Sequence, residues 1–197
     1  MVGFMKKKII LSVCAVVAMA FSLPLHAQRL IPKQRGMEVV GSVPLIKGEK
    51  LFAKDNFGVG VSLTRYLKRE NYTFVGVEYE QQNMPYRDYG VKLKDALLHL
   101  GYMHPILSDN GKNVFLYGGI SVLSGYEQLN EDKKLLPDGA TLLDRSRFVY
   151  GGAVHSSVEV FLTDRVLFLV KMQGRLLFGT DVHSFRPAVS AGLRFNF

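Results

Sequence analysis

Apolar and polar residues alternate with a period of two along most of the chain after residue 27. The C-terminus shows this most clearly, because Val189, Leu193 and Phe197 fall on one face and Arg194 on the other. This period is typical of β-strands, whose successive side chains point to opposite faces. Each alternating segment is long enough for a tilted membrane strand, which needs about 9–11 residues. The pattern predicts eight strands: 37–45, 57–67, 72–81, 93–104, 114–126, 148–162, 166–177 and 189–197.

The two faces of these strands differ in character. One is aliphatic, and the other combines charges with glycines and hydroxyl groups. The segment 93–104 is the least regular, because residues 96–100 are mostly apolar on both faces and could form a short helix. Eight consecutive strands predict an all-β fold, an antiparallel up-and-down β-barrel. A water-soluble barrel would place its aliphatic face inside, so alternation alone does not decide which face is exposed.

Aromatic residues and loop lengths favour a barrel in a membrane. One set of aromatics falls at one rim and a second set at the other, which predicts the double girdle of an outer-membrane barrel. Long connections at 46–56, 82–92, 127–147 and 178–185 alternate with short ones at 68–71, 105–113 and 163–165. The first rim comprises Phe57, Tyr79, Tyr126, Phe148, Tyr150 and Phe178; the second comprises Tyr66, Tyr72, Tyr102, Phe161, Phe168, Phe195 and Phe197.

The charged face is therefore predicted to point inward. If it faced lipid, Lys171 and Arg194 would cost up to about 2–4 kcal/mol each near the bilayer midplane. An eight-stranded barrel has an interior just wide enough for its own side chains, so opposite charges there can pair. The predicted lumen charge network consists of Glu38, Glu78, Glu80, Glu159, Lys171, Arg175 and Arg194.

The N-terminus has the form of a secretory signal peptide. Lys6, Lys7 and Lys8 precede an uncharged, mostly apolar run that ends near the small residue Ala27. We expect cleavage after Ala27, a mature barrel domain of residues 28–197, and location in the outer membrane. The whole chain has a net charge of +8, and removal of the three lysines leaves 22 − 17 = +5. Its one cysteine, Cys14, lies in the predicted signal, so the mature chain would have no thiol.

Candidate catalytic and metal-binding residues are few. His155, Ser157 and Glu159 share one strand face and resemble the residue set of an outer-membrane lipid-modifying enzyme. Residues two apart on a strand are separated by about 6.6 Å, however, and alternation points all three into the lumen. His99 and His104 are too few for a metal site, which uses at least three convergent ligands. We assign no catalytic residue, cofactor or metal.

Two further segments have predicted roles. The outward residues Leu193, Phe195 and Phe197 at the C-terminus are the candidate signal for barrel assembly. The connection 127–147 is the longest, so it is the best candidate for contact with a partner protein. The candidate contact residues within it are Lys133, Lys134, Asp138, Asp144 and Arg145.

Five stretches of the chain carry a family resemblance: Gln28 to Pro32, Gly101 to Pro105, Leu136 to Thr141, Asp144 to Gly152 and Phe185 to Phe195. They resemble the conjugative-transposon TraO family of the Bacteroidota. The resemblance spans nearly the whole mature chain and implies a role in conjugal transfer, as an envelope component of the mating apparatus. The family has no catalytic motif to compare.

Three function classes follow from these observations. The leading one is a non-enzymatic outer-membrane component of a conjugative transfer apparatus, with a structural or docking role. Its partners would be outer-membrane lipid and other conjugation proteins, without direct nucleic-acid binding. The alternatives are a lipid-modifying enzyme that uses His155, Ser157 and Glu159, and a soluble periplasmic barrel that carries a ligand.

Overall fold

The computed structural model describes residues 30–46, 56–86, 89–129, 146–180 and 182–197. They form one closed barrel in which each strand pairs antiparallel with its neighbours in chain order, and the last strand pairs with the first. This confirms the predicted eight-stranded up-and-down barrel. The strands are β1 Arg35–Pro44, β2 Phe57–Tyr66, β3 Tyr72–Tyr86, β4 Tyr89–Ser108, β5 Val114–Leu129, β6 Ser146–Phe161, β7 Val166–Phe178 and β8 Phe185–Asn196.

The barrel has two ends, which we name by the connections they carry. At the terminal end β1 begins and β8 finishes, and Arg35 and Phe197 exchange backbone hydrogen bonds of 3.1 and 2.9 Å. The connections 67–71, 109–113 and 162–165 also lie there, and the first includes a short 3₁₀ turn, Lys68–Glu70. The opposite, loop end carries the connections 45–56, 87–88, 130–145 and 179–184.

The predicted long connection at 82–92 is wrong. β3 continues to Tyr86 and β4 begins at Tyr89, and the two strands stay paired over this whole stretch. The backbone hydrogen bonds that pair two strands do not depend on side-chain polarity. Polar residues such as Gln82 and Lys92 can therefore extend the strands beyond the apolar segment, where the alternation that predicts a membrane strand is absent. β4 is also a regular strand through residues 96–100 rather than a helix.

Strand pairing determines how far the strands tilt. A path that steps from each residue to its paired residue on the next strand starts at Pro44 of β1, passes last through Tyr66 of β2 and returns to the first strand at Gln34. The path therefore shifts by 44 − 34 = 10 residues along this strand in one turn around the barrel. For eight strands this displacement corresponds to a tilt of roughly 40°. The interior of such a barrel is filled by side chains.

The barrel is apolar outside and polar inside. Val154, Ile120 and Val122 point outward with 62–65% of their surface exposed, whereas Glu159, Arg175 and Arg194 are completely buried in the lumen. This confirms the predicted facing and contradicts the soluble alternative, which requires the aliphatic face inside. In the described ranges, no helix combines the length and apolar character that a membrane span requires.

The predicted aromatic girdle is only partly correct. All residues of the first rim are exposed, as are Tyr102, Phe168, Phe195 and Phe197 of the second. Tyr66, Tyr72 and Phe161 are instead buried inside the barrel, because their positions in the alternation place them on the inward face. There they pack with other apolar side chains across the terminal end, and we call this cluster the aromatic floor: Tyr66, Tyr72, Phe74, Met103, Phe115, Tyr117, Phe161 and Leu167.

Candidate functional site: the charged interior of the barrel

Arg194 organises a charge cluster directly above the aromatic floor. It is the inward cross-strand partner of Glu38, and its Nη2 lies 2.8 Å from Glu38 Oε2. Its Nη1 lies 2.6 Å from Glu159 Oε2 on β6. The guanidinium also donates to the hydroxyls of Tyr66 and Tyr72, each at 2.8 Å. Two carboxylates and two phenols therefore surround a single cation, which compensates the cost of burying its charge.

Two further contacts complete this cluster, which we call the Arg194 cluster. Lys171 of β7 forms an ion pair with Glu38. The hydroxyl of Tyr72 donates to Glu159 at 2.5 Å, while the Tyr72 ring lies 4.3 Å from the Arg194 guanidinium carbon. The aromatic floor thus supplies both hydrogen bonds and a cation–π contact to the charges above it. Glu38, Glu159, Lys171 and Arg194 balance as two acids and two bases.

The remaining predicted lumen charges lie closer to the loop end. Arg175 of β7 forms hydrogen bonds of 2.6 Å to both carboxylate oxygens of Glu80. Glu78 accepts hydrogen bonds from Gln173 at 3.0 and 3.1 Å, and its Oε2 lies 3.1 Å from His99 Nε2. The structure therefore divides the seven predicted residues into two groups, with Glu78, Glu80 and Arg175 separate from the Arg194 cluster.

A small cavity lined by both polar and apolar side chains lies between the two groups. It has a volume of about 50 Å³, and Glu38, Glu78, His99, His155 and Lys171 are among the residues that line it. This space is enough for a few water molecules but not for a substrate. The interior can hold charge and bound water, and the architecture offers no room there for a macromolecule to pass.

The sequence analysis missed a third ionic group, centred on Arg186 of β8. Its Nη1 lies 2.6 Å from Asp95 Oδ2, and its Nη2 contacts Glu127 and donates to the hydroxyl of Thr180 at 2.8 Å. We call these residues, with His183 whose carbonyl accepts from Arg186 Nε at 3.0 Å, the Arg186 cluster. The sequence analysis placed Glu127 and Thr180 in connections and began the last strand at residue 189, after Arg186. In the structure Glu127 lies in β5 and Arg186 lies in β8. Extending the alternation of β8 back from Arg194 would have placed Arg186 on the inward face.

Of the three candidate catalytic residues, His155 takes a partner apart from the other two. His155 Nε2 lies 2.8 Å from the Ser121 hydroxyl, whereas the Ser157 hydroxyl donates to Glu159 at 3.2 Å. Glu159 is at the same time a partner of Arg194. All three candidates are buried, which keeps them away from lipid substrates outside the barrel. Among the described residues, no group of three or more His, Cys, Asp and Glu side chains is placed to hold a metal ion.

The structure places the other predicted residues as follows. Leu193, Phe195 and Phe197 point outward and are about half exposed at the end of the strand that closes the barrel. The five charged residues proposed for partner contact lie outside the described residues, as does the predicted signal peptide. Their roles stay predictions.

Comparisons with known proteins agree with this architecture. Ail, the attachment invasion locus protein of Yersinia pestis, is 11% identical, with a TM-score of 0.52 and coverage of 85% of this chain and 100% of that chain. Neisserial surface protein A is 15% identical, with a TM-score of 0.51 and coverage of 83% of this chain and 96% of that chain. At these identities the likeness shows the fold alone. No curated protein matches the chain. A family model described as conjugative transposon protein TraO matches residues 31–197, and the chain therefore belongs to this TraO family.

Proposed function

We propose that this protein is a non-enzymatic outer-membrane component of a conjugative transfer apparatus and that it acts through its exposed surfaces. The membership of the TraO family over residues 31–197 is the observation that carries the proposal. The filled lumen supports it from the physical side, because ion pairs and the aromatic floor occupy the interior. A barrel of this kind contributes a membrane anchor and docking surfaces rather than a conduit.

Location in the outer membrane is supported by the exterior of the barrel and by the N-terminus. A continuous apolar exterior suits contact with lipid. Strands can cross a bilayer as a closed barrel, because closure leaves no strand edge with unpaired backbone groups. A signal peptide at residues 1–27 would direct export. Because β1 begins and β8 finishes at the terminal end of the barrel, we expect that end in the periplasm and the loop end outside the cell.

The connection between β5 and β6 is the proposed docking surface for another apparatus protein. Strands β3 to β6 have 15, 20, 16 and 16 residues, whereas β1 and β2 have 10 each, so the barrel wall is extended beneath this connection. Glu127, near the end of β5, is held by Arg186 and Thr180, which anchors one base of the connection to the lumen. Lys133, Lys134, Asp138, Asp144 and Arg145 would supply the contact charges.

Loop replacement tests the docking role. In a donor lacking the chromosomal copy, Asp132 to Leu143 would be replaced by a short Gly-Ser linker. The matched control replaces residues 48–55, which belong to another connection at the loop end. We expect normal amounts of folded barrel in both strains. Transfer should fall at least about tenfold only in the strain that lacks Asp132 to Leu143, which is equivalent to the loss of one modest interface contact. Normal transfer, or an equal loss in both strains, would contradict the proposal.

Cysteine labelling tests the proposed orientation. The mature chain would have no thiol of its own, because Cys14 lies in the predicted signal. We expect Lys134→Cys to react with a membrane-impermeant maleimide in intact cells, and Asn110→Cys, in a turn at the terminal end, to react only after the outer membrane is permeabilised. The reverse pattern would invert the orientation of the barrel.

The assembly role of Leu193, Phe195 and Phe197 belongs to the same proposal. Their outward, alternating placement on the closing strand supports it. Deletion of Phe197 should lower the amount of heat-modifiable folded barrel in outer membranes, while a Phe168→Leu variant, altered at the same end on β7, should assemble normally. Unchanged assembly without Phe197 would refute this role.

A further inference from the structure

The outer surface at the terminal end differs between the two halves of its circumference. On β5 to β8 the outward residues nearest this end are aliphatic or aromatic. On β1 to β3 they are Arg35, Arg65 and Thr73, and both arginines are exposed. Among the outward strand residues nearest this end, the cationic side chains therefore lie on one side of the barrel, at the boundary between its apolar exterior and water. The apolar residues of the other half include Leu116, Val158, Val160, Val166, Phe168 and Phe195.

Arg35 and Arg65 face each other directly. They are cross-strand partners in the pairing of β1 with β2, and the odd positions of both strands point outward. Like charges in directly opposed positions destabilise a sheet unless an anion lies between them. Within the described residues, neither guanidinium has a hydrogen-bond or ion-pair partner, and this includes the C-terminal carboxylate of Phe197. An anion from outside the described part of the chain would relieve the repulsion between the two guanidinium groups.

A groove continues from this pair along the outside of the barrel. Its volume is about 370 Å³, and both arginines, Thr73 and the C-terminal residue Phe197 line its end. Leu63, Val75 and Leu100 line the part closer to the bilayer interior, and each is 44–58% exposed. The polarity of the groove thus changes from cationic to aliphatic along its length, which is the order of groups in a phospholipid with a negative headgroup.

We propose that this groove binds an anionic phospholipid, with its phosphate between Arg35 and Arg65 and an acyl chain along Leu63, Val75 and Leu100. Guanidinium groups bind phosphate through paired, charge-assisted hydrogen bonds, and the cross-strand spacing allows two of them to share one phosphate. The hydroxyl of Thr73 adds a possible donor to the same headgroup. The site rests on the transmembrane fold and is independent of the role in conjugation.

Native mass spectrometry of the purified, folded chain in detergent tests the proposal. The probes are phosphatidylglycerol and phosphatidylcholine with the same acyl chains. We expect the protein to retain one phosphatidylglycerol in preference to phosphatidylcholine. Arg35→Gln with Arg65→Gln should weaken this retention about tenfold, as expected for losing charged hydrogen bonds. The control, Lys68→Gln with Arg165→Gln, removes two positive charges at the same end outside the groove and should retain the lipid.

The single variants Arg35→Gln and Arg65→Gln keep the test decisive if the double variant folds poorly, because each should lose part of the preference. A wild-type protein without preference for phosphatidylglycerol would overturn the proposal. So would an equal loss in the control, which would indicate a general effect of surface charge. Displacement of the lipid by inorganic phosphate at the same concentration would also overturn it, because the aliphatic part of the groove would then contribute nothing.

Discussion

The two ends of the lumen hold their buried charges in different ways. At the terminal end, the Arg194 cluster has two acids and two bases and rests on the aromatic floor. At the loop end, the Arg186 cluster joins Arg186 to the carboxylates of Asp95 and Glu127, and it connects to Thr180 and to the carbonyl of His183. The first cluster is charge-balanced and covered by rings, and the second lies next to a connection.

This difference indicates separate roles for similar interactions. Arg194 and Glu159 are completely buried next to the aromatic rings, so the stability of this cluster depends on each partner being present. Charges next to a connection can be hydrated when a partner is lost, and their ion pairs serve to hold that connection against the barrel. The terminal end is therefore expected to act as the stable core, and the loop end to determine how the connections are presented.

Replacing Arg194 should have the largest effect. Arg194→Met leaves Glu159 without its cation and Glu38 with Lys171 alone, and we expect a loss of about 3–5 kcal/mol in the free energy of unfolding. The measurement is the urea midpoint of the heat-modifiable band. Leu193→Met, at the neighbouring outward position, is the control and should change stability by less than about 1.5 kcal/mol. Equal stability of the two variants would refute the enclosed character of the Arg194 cluster.

Replacing Arg186 should have a smaller effect. We expect Arg186→Met to cost about 1–3 kcal/mol in the same titration. Arg186 lines a pocket of about 460 Å³ at the loop end, and water from this pocket can hydrate Asp95 and Glu127 once the guanidinium is removed. Adding Glu127→Gln should recover part of this loss, since it removes one of the two carboxylates that Arg186 contacts. A loss greater than that of Arg194→Met would reverse the comparison of the two ends.

Removing one hydroxyl of the aromatic floor should have a still smaller effect. Tyr72→Phe keeps the ring over Arg194 but removes the donor to Glu159, so a loss of about 0.5–1.5 kcal/mol is expected. Tyr79→Phe, on the outward face near the loop end, removes a hydroxyl that lies outside the lumen. If both changes had the same effect on the urea midpoint, the hydrogen bond from the floor would contribute nothing.

The smallest effect is expected for His155 and Ser157. Replacing each by alanine should leave conjugal transfer unchanged once it is normalised to the amount of folded barrel, because both are interpreted as packing groups in the lumen. The measurement is the transfer frequency of a donor complemented with each variant. A large loss of transfer with normal barrel levels would restore the enzymatic hypothesis.

Alternation along the chain was enough to predict the barrel and the facing of its strands. It placed Arg194 and Glu38 inside and Val154 outside, because a strand exposes alternate residues to opposite sides whatever its neighbours are. The same rule, applied without exception, would have moved Tyr66 and Tyr72 from the predicted girdle to the interior. Their assignment to the rim followed the general enrichment of aromatics at membrane boundaries, and the alternation of the strand prevails over that tendency.

The sequence by itself determined which side of the sheet each residue occupies, because that property depends only on positions two apart. Only the tertiary structure decided which charges meet. Arg194 and Glu38 are 156 positions apart, and they pair because β8 closes onto β1 in a particular register. Arg194 reaches Glu159, 35 positions away and on a non-adjacent strand, because the narrow lumen brings these strands within one side-chain length. Pairing across a barrel depends on its register and diameter, which are properties of all eight strands together.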